Sequence, residues 1–232
     1  MTYARPSKNY FFPLLHRELR SCGGEYGLDA ASANFKDRSM FITTHYVGFD
    51  CSEEALRIGL AKHTDLHSLA LLGDVRELYR LPSGSFSVVV STNTLDHLPP
   101  PDIHPTVVSL ANLVEPGGGL LLQLSLSNLN EETLPELQKN FPSVHVRYYT
   151  NPLSTLYERF FERKGGLGSH PIASARPFLL LSLLLGRVEQ LTSSFPSINK
   201  QVFIVCRNKS ATSSHHFDTE KLTRVDHRLY KL

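Results

Sequence analysis

"HYVGFDCSEEAL", His45 to Leu56, passes from an apolar strand through an acid into a capped helix. Tyr46 to Asp50 is short and apolar up to its last residue. Ser52 then stands as an N-cap, Glu53 and Glu54 fill the first turn, and basic residues close the helix near His63. An acid at a strand tip either caps the next helix or holds a ligand. The choice depends on what lies at the ends of the neighbouring strands.

Outward from this stretch, the same alternation repeats. "EYGLDAAS" gives a short strand entering a small-residue turn, "LALLGD" (Leu69 to Asp74) a third apolar run ending in an acid, and "SFSVVVSTNTL" (Ser85 to Leu95) a fourth. "PDIHPTVVSLANLVEPGGG" reads as a helix closed by Pro116 and three glycines, followed by the strand "LLLQLSL" (Leu120 to Leu126). The helix "NEETLPELQKNF", the strand "VHVRYY" and a final strand "KQVFIVCR" (Lys200 to Arg207) complete the series. A leading helix within "YFFPLLHRELR" (Tyr10 to Arg20) has Pro13 as its natural start. Strands that are continuous apolar runs, alternating with helices, predict a doubly wound α/β fold: a mostly parallel seven-stranded sheet covered on both faces. The segment 151–199 is then a helical insertion before the last strand. The organisation expected is an N-terminal helical segment (1–25), a main domain (26–208) and a polar tail (209–232).

Composition restricts the function classes. The chain has 232 residues and a net charge of +2, with acids and bases mixed along it, so no basic patch argues for nucleic acid. The three cysteines, Cys22, Cys51 and Cys206, form neither CxxC nor metal spacing, which fits free thiols in a reducing compartment. His16, His45, His63, His67, His104, His145 and His170 form no metal-site spacing, and His215–His216 lies in the polar tail; no metal is expected. The N-terminus lacks a signal-peptide core, and "PFLLLSLLLGRVEQL" (Pro177 to Leu191) is too short to span a bilayer. A soluble, cytoplasmic protein without stable membrane insertion is the expectation. That leucine-rich run is apolar all round, as a buried helix is. Core or a cover over the substrate pocket is the default; a homodimer interface and a lipid contact are the other options.

In open parallel sheets, ligands bind at the carboxyl ends of the strands. The residues there are "DAASAN", "DCS", "GDV" and "TNTLDH". Four blocks around them, "YGLDAASANF", "YVGFDCSEEAL", "LLGDVRELYRLPSGSFSVVVSTNTLDHLP" and "SLANLVEPGGGLLLQL", resemble the class I S-adenosylmethionine-dependent methyltransferases, small-molecule type, in order and spacing from about Tyr26 to Leu126. The resemblance implies S-adenosylmethionine as cofactor and methyl transfer to a small acceptor. It assigns Asp50 to the ribose hydroxyls, with Cys51 beside it, Asp74 to the adenine amino group, and the Val75 amide to the adenine edge. Asp29, Ala31, Ser32 and Ala33 correspond to the first motif at the methionine end, and Asn93 stands near that end. His97 is the candidate catalytic base; its alternative is a hydrogen bond within its own loop.

The chain departs from the family at the first motif, where Ala31 and Ala33 replace the two main glycines. Glycine permits positive φ and close approach of backbone to ligand. The loop has either kept its ligand on alanine or lost it. A non-catalytic binding or scaffold protein is therefore the alternative function, as is another reaction on the same fold with the sulfonium cofactor bound. Ser87, where the family often has an acid, is neutral to this choice. The Leu-rich insertion hints at an apolar acceptor.

Overall fold

The computed structural model describes residues 4–162, 175–210 and 215–232. In chain order the elements are α1 (Pro6–Leu19), β1 (Tyr26–Ala30), β2 (His45–Asp50), α2 (Glu53–Lys62), β3 (Ser68–Leu72), β4 (Phe86–Ser91), α3 (Pro100–Leu113), β5 (Val114–Ser125), α4 (Thr133–Asn140), β6 (Ser143–Tyr149), α5 (Pro152–Glu162), α6 (Arg176–Thr192), β7 (Gln201–Arg207), β8 (Thr223–Asp226) and β9 (Leu229–Lys231). The strands are hydrogen-bonded in the order β6-β7-β5-β4-β1-β2-β3-β9-β8. From β5 to β9 every neighbouring pair is parallel, and β8 returns antiparallel to β9. The fold is the expected mostly parallel α/β sheet, with nine strands among the described residues rather than seven.

The chain packs into two compact units. The larger comprises Glu18–Leu124, Asn128–His145 and Ile204–Leu232. Its core is the set of apolar runs that marked the strands. Every residue of β4 is buried, as are Leu28, Val47, Phe49, Leu71 and Leu120 to Leu122. Each such side chain contributes about 1.5–3 kcal/mol on burial. Ser52 caps α2 as its sequence required, its Oγ accepting from the Ala55 amide at 3.2 Å. Between β1 and β2, residues 31–44 form no α-helix, only a 3-10 turn at Arg38–Met40.

Part of the stretch read as a polar tail is structured. Leu229 is fully buried, and Ala70 to Leu72 of β3 pair with Leu229 to Lys231. Arg228 anchors this strand by donating to the carbonyl oxygens of Leu60 (2.9 Å), His63 and Asp65 (both 2.6 Å). These include carbonyls at the C-terminus of α2, where orphaned acceptors and the helix dipole both favour a cation.

The smaller unit comprises Met1–Arg17, Ser125–Ser127 and Val146–Phe203. Its aromatic centre joins Phe11, Tyr149 and Phe203, with Phe11 stacked on Tyr149 and edge-on to Phe203. The first helix starts at Pro6, not after Pro13, so Pro13 sits inside it without an amide to contribute. The leucine-rich helix α6 is also corrected. It buries Ser182, Gly186 and Glu189, spaced at i, i+4 and i+7, while Leu180, Leu181, Leu184 and Leu191 are exposed. Polar partners explain the orientation. Ser182 accepts from the Asn9 amide nitrogen at 2.7 Å, and the Glu189 carboxylate accepts from the Thr150 (2.9 Å) and Asn151 (3.1 Å) amides at the start of α5. Core is therefore not the role of these leucines. His170, and the rest of 163–174 within the insertion, lie outside the described residues. Among the described residues no helix is long and apolar enough to cross a membrane.

Candidate functional site

Parallel register brings the carboxyl ends of four strands to one edge of the sheet. Ala30 is level with Phe49 on one side and Ser91 on the other, and Asp50 with Leu72. β1 lies between β2 and β4, so the strand order reverses there, and that reversal opens a crevice. A cavity of about 330 Å³ occupies it. Ala31, Asp50, Cys51, Asp74, Val75, Asn93 and His97 line it, together with Phe49, Arg76 and Thr94. Asp29, Ser32 and Ala33 do not; they stand behind it.

Asp29 is buried at the end of β1 and accepts from the Tyr46 hydroxyl at 2.7 Å. Burial, with the nearby Asp37 carboxylate, pushes its acid up to about 7. Its Oδ1 has no hydrogen-bond partner among the described residues. The turn that follows keeps a glycine-type backbone without glycine: φ is +63° at Ala31, +48° at Ala33 and +60° at Phe35. Left-handed backbone costs an L-residue roughly 1–2 kcal/mol. The Phe35 ring is accommodated by glycines elsewhere. A Cβ on Gly48 of β2 would come within 2.2 Å of it, and one on Gly59 of α2 within 2.6 Å. Small size has moved from the turn to the elements it packs against.

Asp50 connects this turn to the cavity. One carboxylate oxygen accepts from the Ala33 amide at 2.8 Å, the other from the Ser52 amide at 2.9 Å. Each oxygen keeps further acceptor capacity, since an ionised carboxylate offers about four lone-pair sites. Asp74 is more heavily engaged. Its oxygens accept from the Arg76 amide (2.9 Å), Nε (3.0 Å) and a terminal nitrogen (2.6 Å). This bidentate pairing holds the Asp74 carboxyl below its ordinary range.

At the end of β4, Asn93 has φ +56°, and its amide donates to Gln123 Oε1 at 2.6 Å. Thr94 Oγ1 lies within 3.3 Å of the Ala30 carbonyl oxygen and bonds it, tying the β4 end to β1. His97 reaches the cavity wall exposed, and among the described residues no hydrogen bond orients its ring. The neighbouring Asp96 accepts from Asn128 at 2.9 Å. Sequence reasoning missed Arg76 and Gln123. Gln123 is the one amide within "LLLQLSL", a polar residue in an apolar strand, and that was the available signal. Arg76 follows "GDV" directly but reads as an ordinary turn cation. No group of three metal-type ligands occurs among the described residues.

Residues 30–118 match the family described as "Methyltransferase domain". The likeness over that stretch is to a methyltransferase domain. No curated protein sequence matches the chain. Among solved structures, phosphoethanolamine N-methyltransferase 2 of Haemonchus contortus, in complex with phosphomonomethylethanolamine and S-adenosylhomocysteine, is 16% identical with a TM-score of 0.56, covering 87% of this chain. This chain spans about half, 52%, of that one. Geranyl diphosphate methyltransferase in complex with S-adenosylmethionine is 12% identical with a TM-score of 0.54, covering 84% of this chain and 83% of its own. The [4+2]-cyclase SpnF is 12% identical with a TM-score of 0.53, covering 88% and 82%. At these identities the likeness is one of fold. The matched domain includes the turn at Ala31 and Ala33, Asp50, Asp74 and His97, and it ends at Gly118, before Gln123.

Proposed function

We propose that the methyltransferase domain binds S-adenosylmethionine in the 330 Å³ cavity and serves methyl transfer to a small acceptor. The observation that carries this reading is Asp50: a carboxylate on the cavity wall whose oxygens each take a single amide, with acceptor capacity left for two ribose hydroxyls. The turn at Ala31 and Ala33 supports it, because its backbone holds the left-handed conformation that glycine normally supplies. The cofactor supplies a methyl group activated on a sulfonium. In this reading Asp50 and Cys51 hold the ribose end, Asp74 and Val75 the adenine end, and the Ala31–Ala33 backbone and Asn93 the methionine end, with Asp29 and Ser32 supporting the turn from behind. Gln123 fixes the Asn93 turn. His97, exposed at the rim, takes a proton from an acceptor that must lose one and passes it to solvent.

The second reading, a non-catalytic methyltransferase-like binding protein, draws on Arg76. Its fork occupies the Asp74 oxygens that an adenine amino group would need. Calorimetric titration with S-adenosylhomocysteine separates the two. The first expects saturable binding by the parent and affinity about ten- to a hundred-fold weaker in Asp50→Asn, because hydrogen bonds to a charged group contribute about 1.5–3 kcal/mol. No binding by the parent, with a normal melt, favours the second.

A further inference from the structure

The smaller unit turns two apolar helix faces outward. On α6, Leu180, Leu184 and Leu191 stand at i, i+4 and i+11, opposite the buried Ser182, Gly186 and Glu189. On α5, Leu153, Leu156 and Phe160 stand at i, i+3 and i+7. All six side chains are between 54% and 77% exposed. The polar faces are the ones that pack. Ser182 accepts from the Asn9 side chain of α1, and the Glu158 carboxylate accepts from the Ser7 amide (3.2 Å) and hydroxyl of the same helix. Both apolar stripes therefore face away from α1. Tyr157 of α5 joins the two helices, packing against Phe178 and Leu185 and donating to the Phe178 carbonyl oxygen at 3.1 Å.

Helices that meet only water bury their apolar stripes and expose their polar ones. Here the order is reversed on both helices, and contiguous apolar exposure of this kind marks an interaction surface. The charges at its margins decide the partner. Arg176 and Arg187, at i and i+11, share the flank of the α6 stripe away from Phe178 and Leu185, and so away from α5. Arg159 borders the α5 stripe on the side away from Tyr157. All three arginines are exposed. The acids among the described side chains of the two helices are not. Glu158 is turned to Ser7, and Glu189 is buried against the Thr150 and Asn151 amides. An apolar stripe with cationic margins is the composition of a helix that lies in the plane of an anionic lipid surface. A second copy would set cationic margins against cationic margins. Five of the six side chains are leucine, a residue under-represented among those that carry protein–protein binding energy.

We propose that the outer faces of α5 and α6 dock on an anionic lipid surface, the leucines at the acyl boundary and the arginines among the headgroups. The contact is peripheral, since among the described residues no helix is long and apolar enough to cross a membrane. The full chain is floated with vesicles of phosphatidylcholine containing phosphatidylglycerol, and with phosphatidylcholine alone, at about 0.15 M ionic strength. The parent should partition onto the anionic vesicles and several-fold less onto the neutral ones. Leu156→Asp and Leu184→Asp should each lower partitioning at least ten-fold, with the thermal melt unchanged. Arg187→Gln should lower it about five-fold on the anionic vesicles. Leu66→Asp makes the same change at an exposed leucine of the larger unit and should leave partitioning unchanged. Where an aspartate variant melts early, the serine variant takes its place. Failure of the parent to float overturns the proposal. So does equal flotation on the two compositions, or a loss in the Leu156 and Leu184 variants no greater than in Leu66→Asp. Sedimentation runs in parallel: a parent dimer that Leu184→Asp dissociates, without flotation, assigns this face to a second copy instead.

Discussion

Ala31, Ala33 and Phe35 hold left-handed backbone at alternate positions, and that spacing is what the glycines of a cofactor turn would show. The sequence made the substitution legible but not the retained conformation, because φ is set by what closes over the loop. Here that includes the Asp50 bond to the Ala33 amide and the seat of Phe35 against Gly48 and Gly59. Relief of strain on glycine (about 1–2 kcal/mol) is offset by the unfolded-state entropy glycine adds, about 0.5–1 kcal/mol. Ala31→Gly and Ala33→Gly should therefore melt at or slightly above the parent temperature, and bind S-adenosylhomocysteine at least as well. A clear fall in melting temperature would show that the turn is not held left-handed. Asp29 gives a pH dependence. Its folded acid sits at about 7, above the ordinary value of 3.8. Between those values the folded state holds a proton that the unfolded state releases, so stability falls as pH rises from about 4 to about 7. Asp29→Asn keeps an acceptor for Tyr46 and removes the titration. Its melting temperature should overtake the parent's above about pH 7, by roughly 2–4 °C for each kcal/mol recovered. Parallel melting curves across that range would exclude a protonated Asp29.

At the scale of elements, continuous apolar runs identified β1 to β5, because a strand covered on both faces leaves no room for alternation. The acids at the ends of β2 and β3 were legible for the same reason: each interrupts such a run where it reaches solvent. Helix α6 was misread, since leucine count says nothing about which face docks. Its inward face is the one that can be hydrogen-bonded, Ser182 and Glu189, and that can approach closely, Gly186. Gln123 showed in the sequence only as a polar break in an apolar strand, because its partner, the Asn93 amide, reaches it only once the ends of β4 and β5 meet; Arg76, two residues from Asp74, reads as an ordinary turn cation. The α6 geometry separates two substitutions. Glu189→Ala leaves the Thr150 and Asn151 amides without their acceptor in a buried setting, at a cost of about 1–3 kcal/mol. Its melt should drop by several degrees. Leu184→Asp, on the exposed face, should stay within about 0.5 kcal/mol of the parent. The reverse ranking would return the leucines to the core.

For the molecule as a whole, the sheet does not stop at β3 but continues into β9 and β8. β3 is short, and as an edge it would present unpaired amides and carbonyls, a template for association with another chain. The chain covers that edge itself. β9 pairs with it in parallel, and the Leu232 amide donates to the Leu72 carbonyl at 3.0 Å. These residues were unreadable as a strand because Leu229–Lys231 is too short for a periodic pattern; its position is fixed by Arg228, not by hydrophobic run length. That side chain joins three layers of local order: the C-terminus of α2, the turn into β3, and β9 itself. Asp226 adds a 2.9 Å ion pair with Arg57 of α2, but both groups are about half exposed, so its contribution is small. Arg228 should therefore dominate the anchoring. In Arg228→Ala its carbonyl acceptors return to water and β9 loses its tether, costing about 2–3 kcal/mol at the level of charge-assisted bonds. The melting temperature should fall by about 4–12 °C for a domain of this size. Amide exchange should accelerate first in β3 and β9, and the protein should self-associate more readily on warming. Arg228→Lys retains the charge at the helix end but reaches fewer carbonyls, and should fall between the two. A melt of Arg228→Ala within a degree of the parent, with β3 amides still protected, would show that β9 is held by its strand pairing alone.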